Sequence, residues 1–483
     1  MSELLGANTD VLERSAESLS IDARRIADIR ILAQRVLGEL QASWNGSDLV
    51  RLTQRWEQQA SPLLDGASAS LDTCAARLRA QAAAQRVTSS NDGGNNAGGS
   101  SGGATALMPV TSLVSPPVHG SPVDNAAWWR SLSPLEQQQV IRGHPEWIGS
   151  RDGVDFTARD LANRAMLTVD RDHLVAERER LRAGLAASWF GGAVTNDDAA
   201  LDHVKDKLAS IDAVEATLAQ PGEHQLLLLD TGQERSQAAI ANGNVQTAAN
   251  VAVFIPGMGT TVANSMKGSD TDMHDLQLTA LRASSKGHPT HPTRESTTAT
   301  VTWIGYQAPA RLLDVSNLDN SGAVDTTARK GAAQLVPFLQ GIGAARDHDA
   351  HLTLLGHSYG STTAGLALRQ ETGVDDAVFF GSPGLGTDHV EDLRLAPGHA
   401  YYIEAPGDVV GDLGIFGADP SSVSGMKHLS TAASDVVDPA TGAISHLDGV
   451  TGHSSYLLDG STSQRNIATI VAGGAGSTDL HPR

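Results

Sequence analysis

Ser358 stands in the run Gly356-His357-Ser358-Tyr359-Gly360. An apolar stretch (352–355) precedes it, and small residues at helical spacing follow at Ser361 and Ala364, with Leu366 and Leu368 beyond. A serine held on a sharp strand-to-helix turn lifts its hydroxyl clear of the sheet, and glycines two positions to either side let the backbone close around it. The bland alternative is a polar residue in an ordinary loop. What separates the two is whether the remaining parts follow in order: an oxyanion loop before the serine, then an Asp or Glu, then a His.

All three have candidates. The segment FIPGMGTT (254–261) follows an apolar run about 100 residues before Ser358. Gly257 and Gly259 allow the backbone to approach a substrate oxygen. The Met258 N–H is then one oxyanion donor, and the Tyr359 N–H, at the start of the helix after the serine, is the other. In YYIEAPGDVVGDLG (401–414), Asp408 lies just past a strand-like run and is preferred to Asp412, which is farther from the strand end. Glu404 lies inside the apolar run, and Asp435 and Asp438 read as surface acids. In GHSSYLLDGS (452–461), His453 follows the acid and precedes a final helix-like stretch, with His446 and His428 as rivals. Ser358 would give its proton to His453, and Asp408 would fix the tautomer of that ring. Gly257, His357 and Ser382, the last in a Ser-Pro-Gly turn, are expected to line the substrate pocket. Trp303 and Tyr306 are open between substrate contact and core packing. His288 and His291 have a metal-like spacing without a partnering acid nearby and read as a polar loop. The proposed chemistry requires no cofactor or metal.

These residues need a scaffold. Apolar runs at 225–230, 251–255, 299–306, 351–356, 376–381 and 399–404 read as strands. Helical patterns at about 321–343 and 464–473 lie among or after them. Strands alternating with helices argue for a mostly parallel sheet covered on both faces. Asn242-Gly243 is a turn signal. Ahead of this region, helical patterns run over about 158–185 and 198–218, as a cover or cap for the catalytic part. Ser133, Pro134 and Glu136 form a capping box. Trp128, Trp129 and Trp147 crowd together in a chain only 4% aromatic, which suggests a buried docking surface.

The first 86 residues read as two amphipathic helices. Ile26, Ile29, Val36 and Leu40 form one stripe, and Leu49, Leu52, Trp56, Leu63, Leu71 and Leu78 the other. Ser47 and Asp48 suit the start of the second helix. Residues 87–120 are a Gly/Ser-rich and then Pro-rich linker. The expected organisation is therefore a helical hairpin (1–86), a linker (87–120), a helical layer (121–222) and a catalytic α/β region (223–478).

The chain has 483 residues, a formal charge of −20 and one cysteine, Cys74. That charge disfavours nucleic acid as a partner, and the single cysteine leaves no intramolecular disulfide. The opening residues lack a basic segment followed by an apolar core, and no stretch is long enough for a membrane span. The expected location is cytoplasmic, or secreted without a conventional signal peptide.

Two resemblances add to this reading. From about 225 to 475 the chain resembles the α/β-hydrolases, and over most of 120–475 it more closely resembles an actinobacterial family of uncharacterised α/β-hydrolase domains. The shared marks are WWRSLSPLEQQQVIRGHPEWIGSRDGV, NVAVFIPGMGTT, TWIGYQAP, GHSYGS, GSPG and GHSSYL. The resemblance implies a serine hydrolase with Ser358, Asp408 and His453 as its triad and gives no substrate; the expected reaction is hydrolysis of a small-molecule carboxylic ester, ahead of an amide or thioester. The short motif Trp44-Asn45-Gly46 resembles the Trp-X-Gly turn of helical-hairpin proteins handled by type VII secretion systems. It implies a secretion-system or helical partner for the hairpin.

Overall fold

The structure is a computed structural model. It describes residues 113–187, 197–284, 297–311, 322, 324–410, 415–437, 442–474 and 480–482, with scattered positions between 13 and 83. The chain divides into two compact units, Met1–Val110 and Thr111–Arg483.

In the first unit nearly all the described positions are helical. Arg79 donates to the Ser20 hydroxyl at 2.8 Å and to the Ala16 carbonyl at 3.4 Å, so two sequence-distant helical stretches lie side by side. Ala16 and Ala75 are buried. Trp44-Asn45-Gly46, the caps at Ser47 and Asp48, and the linker at 87–104 lie outside the described residues.

The second unit is built on an eight-stranded sheet. Its strands are β1 (His224–Asp230), β2 (Gln237–Asn242), β3 (Asn250–Ile255), β4 (Thr298–Ile304), β5 (His351–His357), β6 (Asp376–Phe380), β7 (Ala400–Ile403) and β8 (Lys427–Leu429), in the spatial order β1-β2-β4-β3-β5-β6-β7-β8. The pairings from β4 to β8 are parallel, and β2 runs antiparallel to both its neighbours. The central strands β3 and β4 are buried at every position, as expected for strands covered on both faces. A separate exposed hairpin pairs β9 (Ser434–Val437) with β10 (Ile444–Leu447).

Eight helices are described in this unit: α1 (Pro122–Ser131), α2 (Pro134–Gly143), α3 (Phe156–Ala187), α4 (Asp197–Leu218), α5 (Val262–Ser284), α6 (Thr326–Ala345), α7 (Tyr359–Leu368) and α8 (Thr462–Val471). The capping box at Ser133 forms, with the Glu136 carboxylate accepting from the Ser133 N–H at 2.8 Å. Trp128 and Trp129 are buried in a small core with Val140, Ile148 and Ala162, and Trp147 packs at its edge. Arg130 ties this core to α6 through the Ala344 carbonyl at 2.6 Å.

The long helices α3 and α4 pack on one end of the sheet. Leu167, Leu174, Leu208 and Ile211 share a core with Leu226 of β1, Ile240 of β2 and Met266 of α5. Arg159 fastens this layer from below. It is fully buried, donates to the Leu227 carbonyl at 2.6 Å, pairs with Asp152 at 3.1 Å, and lies over the rings of Phe156 and Phe338. A buried guanidinium persists only where its donors are met, as they are here.

Candidate active site

Four neighbouring parallel strands deliver the chemistry to one edge of the sheet. β3 leads into the loop at 256–261, β5 into Ser358, β6 into Gly381, and β7 into the turn that carries Asp408. Crevices beyond the carboxyl ends of parallel strands are where open α/β sheets hold ligands.

Ser358 has φ 54° and ψ −133°. Among the described residues it is one of two non-glycine positions with positive φ, a conformation that costs on the order of 1–3 kcal/mol. The flanking glycines show what makes the turn possible. A Cβ on Gly356 would fall 2.7 Å from the Ser361 Cα, and one on Gly360 would fall 2.2 Å from the Ile255 carbonyl oxygen. The turn is fastened by the Ser358 N–H to the Phe380 carbonyl at 3.1 Å and by the Ser361 N–H to the Ser358 carbonyl at 2.9 Å.

The three residues expected to act together do meet. The Ser358 hydroxyl donates to His453 Nε2 at 2.8 Å, and His453 Nδ1–H donates to the Asp408 carboxylate at 2.9 and 3.0 Å. Asp408 is almost wholly buried. Burial alone would push its carboxyl up, but bonds from the Tyr456 hydroxyl, His453 and the Val410 N–H outweigh it and hold the group below the usual carboxylate range. The charged acid is therefore available to orient the imidazole and to stabilise its protonated form.

Two neighbours support this chain. Tyr456 donates to Asp408 Oδ2 at 2.5 Å and accepts the Ala405 N–H at 3.0 Å, so it joins the acid to the end of β7. Burial and the adjacent Asp408 push the phenol well above its usual range, which keeps it a donor. His357 donates from Nε2 to the His453 carbonyl at 2.7 Å and stacks on Phe380. Burial, reinforced by the neighbouring His453, pushes His357 down to about 4, so it is neutral at ordinary pH. Its role is to hold the backbone that carries the base. Neither role is evident from sequence, where His357 reads as a pocket residue.

The loop expected to hold an oxyanion abuts Ser358. A Cβ on Gly257 would fall 2.6 Å from the Ser358 Cβ and 3.1 Å from its Oγ. The loop is pinned by the Gly259 N–H to the Pro309 carbonyl at 2.7 Å, the Thr260 hydroxyl to the Gly257 carbonyl at 2.7 Å, and the Tyr306 hydroxyl to the Pro256 carbonyl at 3.0 Å. The Met258 N–H takes part in none of these bonds. Tyr359 is the first residue of α7, where a helix leaves its N–H without an intrahelical partner. Its side chain turns to structural work, with the hydroxyl donating to the Val324 carbonyl at 2.8 Å and accepting the Ala328 N–H at 3.1 Å.

Other expectations resolve differently. Ser382 does not line the cleft. It is fully buried, bonded to the Ser361 hydroxyl at 2.6 Å and accepting the Gly384 N–H at 3.2 Å, and so joins the turn after β6 to α7. Trp303 is buried and stacked on Tyr306, which makes it a core residue. His446 pairs with Asp435 at 2.8 Å on the exposed β9–β10 hairpin, and His428 packs edge-on against Tyr402. Asp412, Asp438, His288 and His291 lie outside the described residues.

The cleft at Ser358 holds about 260 Å³. Phe254, Phe380, Tyr456 and Leu457 supply apolar lining, and Ser265, Ser269 and Asp272 of α5 supply polar lining. Gly257, Met258, His357 and His453 also line it, whereas among the described residues none of 121–222 does. The described part of the helical layer covers the end of the sheet, and α5 and the loops line the Ser358 cleft.

Comparison with known proteins agrees with this architecture. A family model described as alpha/beta hydrolase matches residues 231–418, which include Ser358 and Asp408 and stop short of His453. An uncharacterised protein of Mycobacterium tuberculosis and one of Mycobacterium bovis are each 36% identical over 234 residues, covering 47% of this chain and 84% of theirs. A further uncharacterised Mycobacterium tuberculosis protein is 28% identical over 400 residues, which is 74% of this chain and 57% of its own length.

Gly381 gives a direct test of how tightly the acid and base are set. It has φ 57°, and a Cβ there would fall 2.7 Å from Asp408 Oδ2 and 3.1 Å from His453 Nδ1. Gly381→Ala is expected to retain the native circular dichroism spectrum and to lower kcat/KM for any substrate that reacts at Ser358 about 100-fold, the scale of a misplaced catalytic group. Unchanged kcat/KM would show that the Asp408–His453 geometry does not limit the reaction.

Proposed function

The chain belongs to the alpha/beta hydrolase family, and from that premise we propose that it is a serine hydrolase that cleaves carboxylic esters through an acyl-enzyme. The observation that carries this reading is the unbroken hydrogen-bond chain from Ser358 Oγ through His453 to Asp408. His453 Nε2 takes the Ser358 proton as Oγ attacks the ester carbonyl carbon. The resulting oxyanion lies against the Met258 and Tyr359 N–H groups, each such donor contributing about 3 kcal/mol in the transition state. His453 then protonates the departing alkoxide, which leaves as the alcohol. A water, deprotonated by His453, attacks the acyl carbon, and the free acid departs as Ser358 regains its proton. Amides and thioesters fit the same steps, and an amide makes the greatest demand on the general acid, because its nitrogen must be protonated to leave.

Turnover of a chromogenic short-chain ester tests this. Ser358→Ala and His453→Ala are each expected to lower kcat by roughly three to six orders of magnitude, on the scale of other triads, whereas His446→Ala leaves it nearly unchanged. Full turnover by Ser358→Ala would remove Ser358 from the mechanism.

We further propose that the N-terminal unit is a partner or targeting module, consistent with a type VII-like route of secretion. Its support is the Trp44-Asn45-Gly46 motif and the separation of residues 1–110 as a compact unit of their own. A second reading makes this unit the functional part and the hydrolase region its cargo or a degenerate scaffold. The complete Ser358–His453–Asp408 chain argues against degeneracy. Removal of residues 1–105 is expected to leave kcat/KM for the chromogenic ester within about twofold. Loss of turnover in a folded 106–483 chain would make the unit part of catalysis.

A further inference from the structure

The lining of the Ser358 cleft is of two kinds. Besides the aromatic residues, α5 presents Ser265, Ser269 and Asp272, spaced i, i+4 and i+7 on one helix face. Leu276 continues that face into the core, where it and Met273 share a cluster with Phe254, Phe380 and Tyr456. The proposed reaction steps do not use the polar residues of this stripe.

Asp272 stands out within it. Among the described residues no lysine or arginine lines the cleft, and Asp408 is already committed to His453 and Tyr456. Among the described residues Asp272 has neither a hydrogen-bond nor an ion-pair partner. Asp270, two positions earlier but on the buried side, shows how this helix treats a structural acid: it accepts from Asn242 at 3.0 Å and Gln220 at 3.1 Å and meets His224 at 3.3 Å. Asp272 is exposed at the rim of the cleft, and the surrounding protein and the nearby Asp275 push its carboxyl up to about 6. An unpaired carboxylate at a cleft rim favours a cation by the modest amount of a solvent-screened pair.

We propose that Asp272 is a specificity residue that selects esters bearing a cationic amine or quaternary ammonium group. The inference rests on the ester-hydrolase reading above and names its substrate class. Asp272 lines the same cleft as Ser358 and His453, so the cation and the ester belong to one compact substrate. The 260 Å³ cleft suits such a compact substrate better than a long acyl chain.

The test compares acetate esters of trimethylammonio alcohols, with two, four and six carbons between oxygen and nitrogen, against neutral esters in which a tert-butyl group replaces the trimethylammonio group. For at least one arm length, the wild-type chain is expected to favour the cationic ester in kcat/KM by roughly five- to tenfold, the scale of one partly screened charge pair. Asp272→Asn should bring that ratio close to one, and Asp272→Glu should keep most of it. Raising the salt concentration should shrink the wild-type ratio. A wild-type ratio near one at every length overturns the inference and leaves the ester-hydrolase reading standing. A preference that survives Asp272→Asn also overturns it, and assigns the effect to the overall charge of −20. Failure of the wild-type chain to cleave any of these esters or the chromogenic ester overturns both.

Discussion

The site depends on a backbone conformation that a serine does not readily adopt. Ser358 is held at positive φ because the chain must pass from β5 into α7 within a single residue. The strain is sustained by contacts that admit no side chain: Gly356 against Ser361, Gly360 against the Ile255 carbonyl, and Gly257 against Ser358 itself. Holding one residue there costs on the order of 1–3 kcal/mol, which the surrounding hydrogen bonds and sheet must offset. In return the hydroxyl stands clear of the strand, and the first N–H of the following helix is left beside it.

The other groups converge on that fixed point through buried polar bonds. Asp408 stays charged within the protein because a phenol, an imidazole and a backbone N–H all donate to it. Burying a carboxylate without such partners would raise its pKa and remove the charge that His453 needs. His357 shows the opposite use of burial. Kept neutral, it acts as a fixed donor to the His453 carbonyl and adds no second positive charge beside the base. Two histidines 4.8 Å apart thus have different roles, set by their surroundings.

Much of this was legible in the sequence, for physical reasons. Continuous apolar runs mark strands buried on both faces, so β3, β5, β6 and β7 stand out and so do the residues at their ends. The pentapeptide around Ser358, with an acid and then a histidine in order behind it, restricted the site to a few residues. β2 was not legible: its sequence, Gln-Ala-Ala-Ile-Ala-Asn, is fully buried, but its alanines carry neither alternation nor β-branched bulk. Asn242-Gly243 marks a real turn, with Gly243 at φ 82°, but it does not join paired neighbours, because β4 lies between β2 and β3. Ser382 misled because a turn glimpsed in sequence does not reveal which way its side chain faces. The roles of Tyr456 and His357, and the polar face of α5, depend on packing between distant segments, which no local pattern records.

The central claim is that Ser358 is an activated nucleophile. Its most direct test is covalent: the full chain is treated with a serine-reactive fluorophosphonate, digested, and mapped by mass spectrometry. The account predicts one stoichiometric adduct, located on Ser358 and suppressed by an ester that competes for the cleft. An unlabelled chain, or an adduct at another serine with Ser358 unmodified, would contradict it.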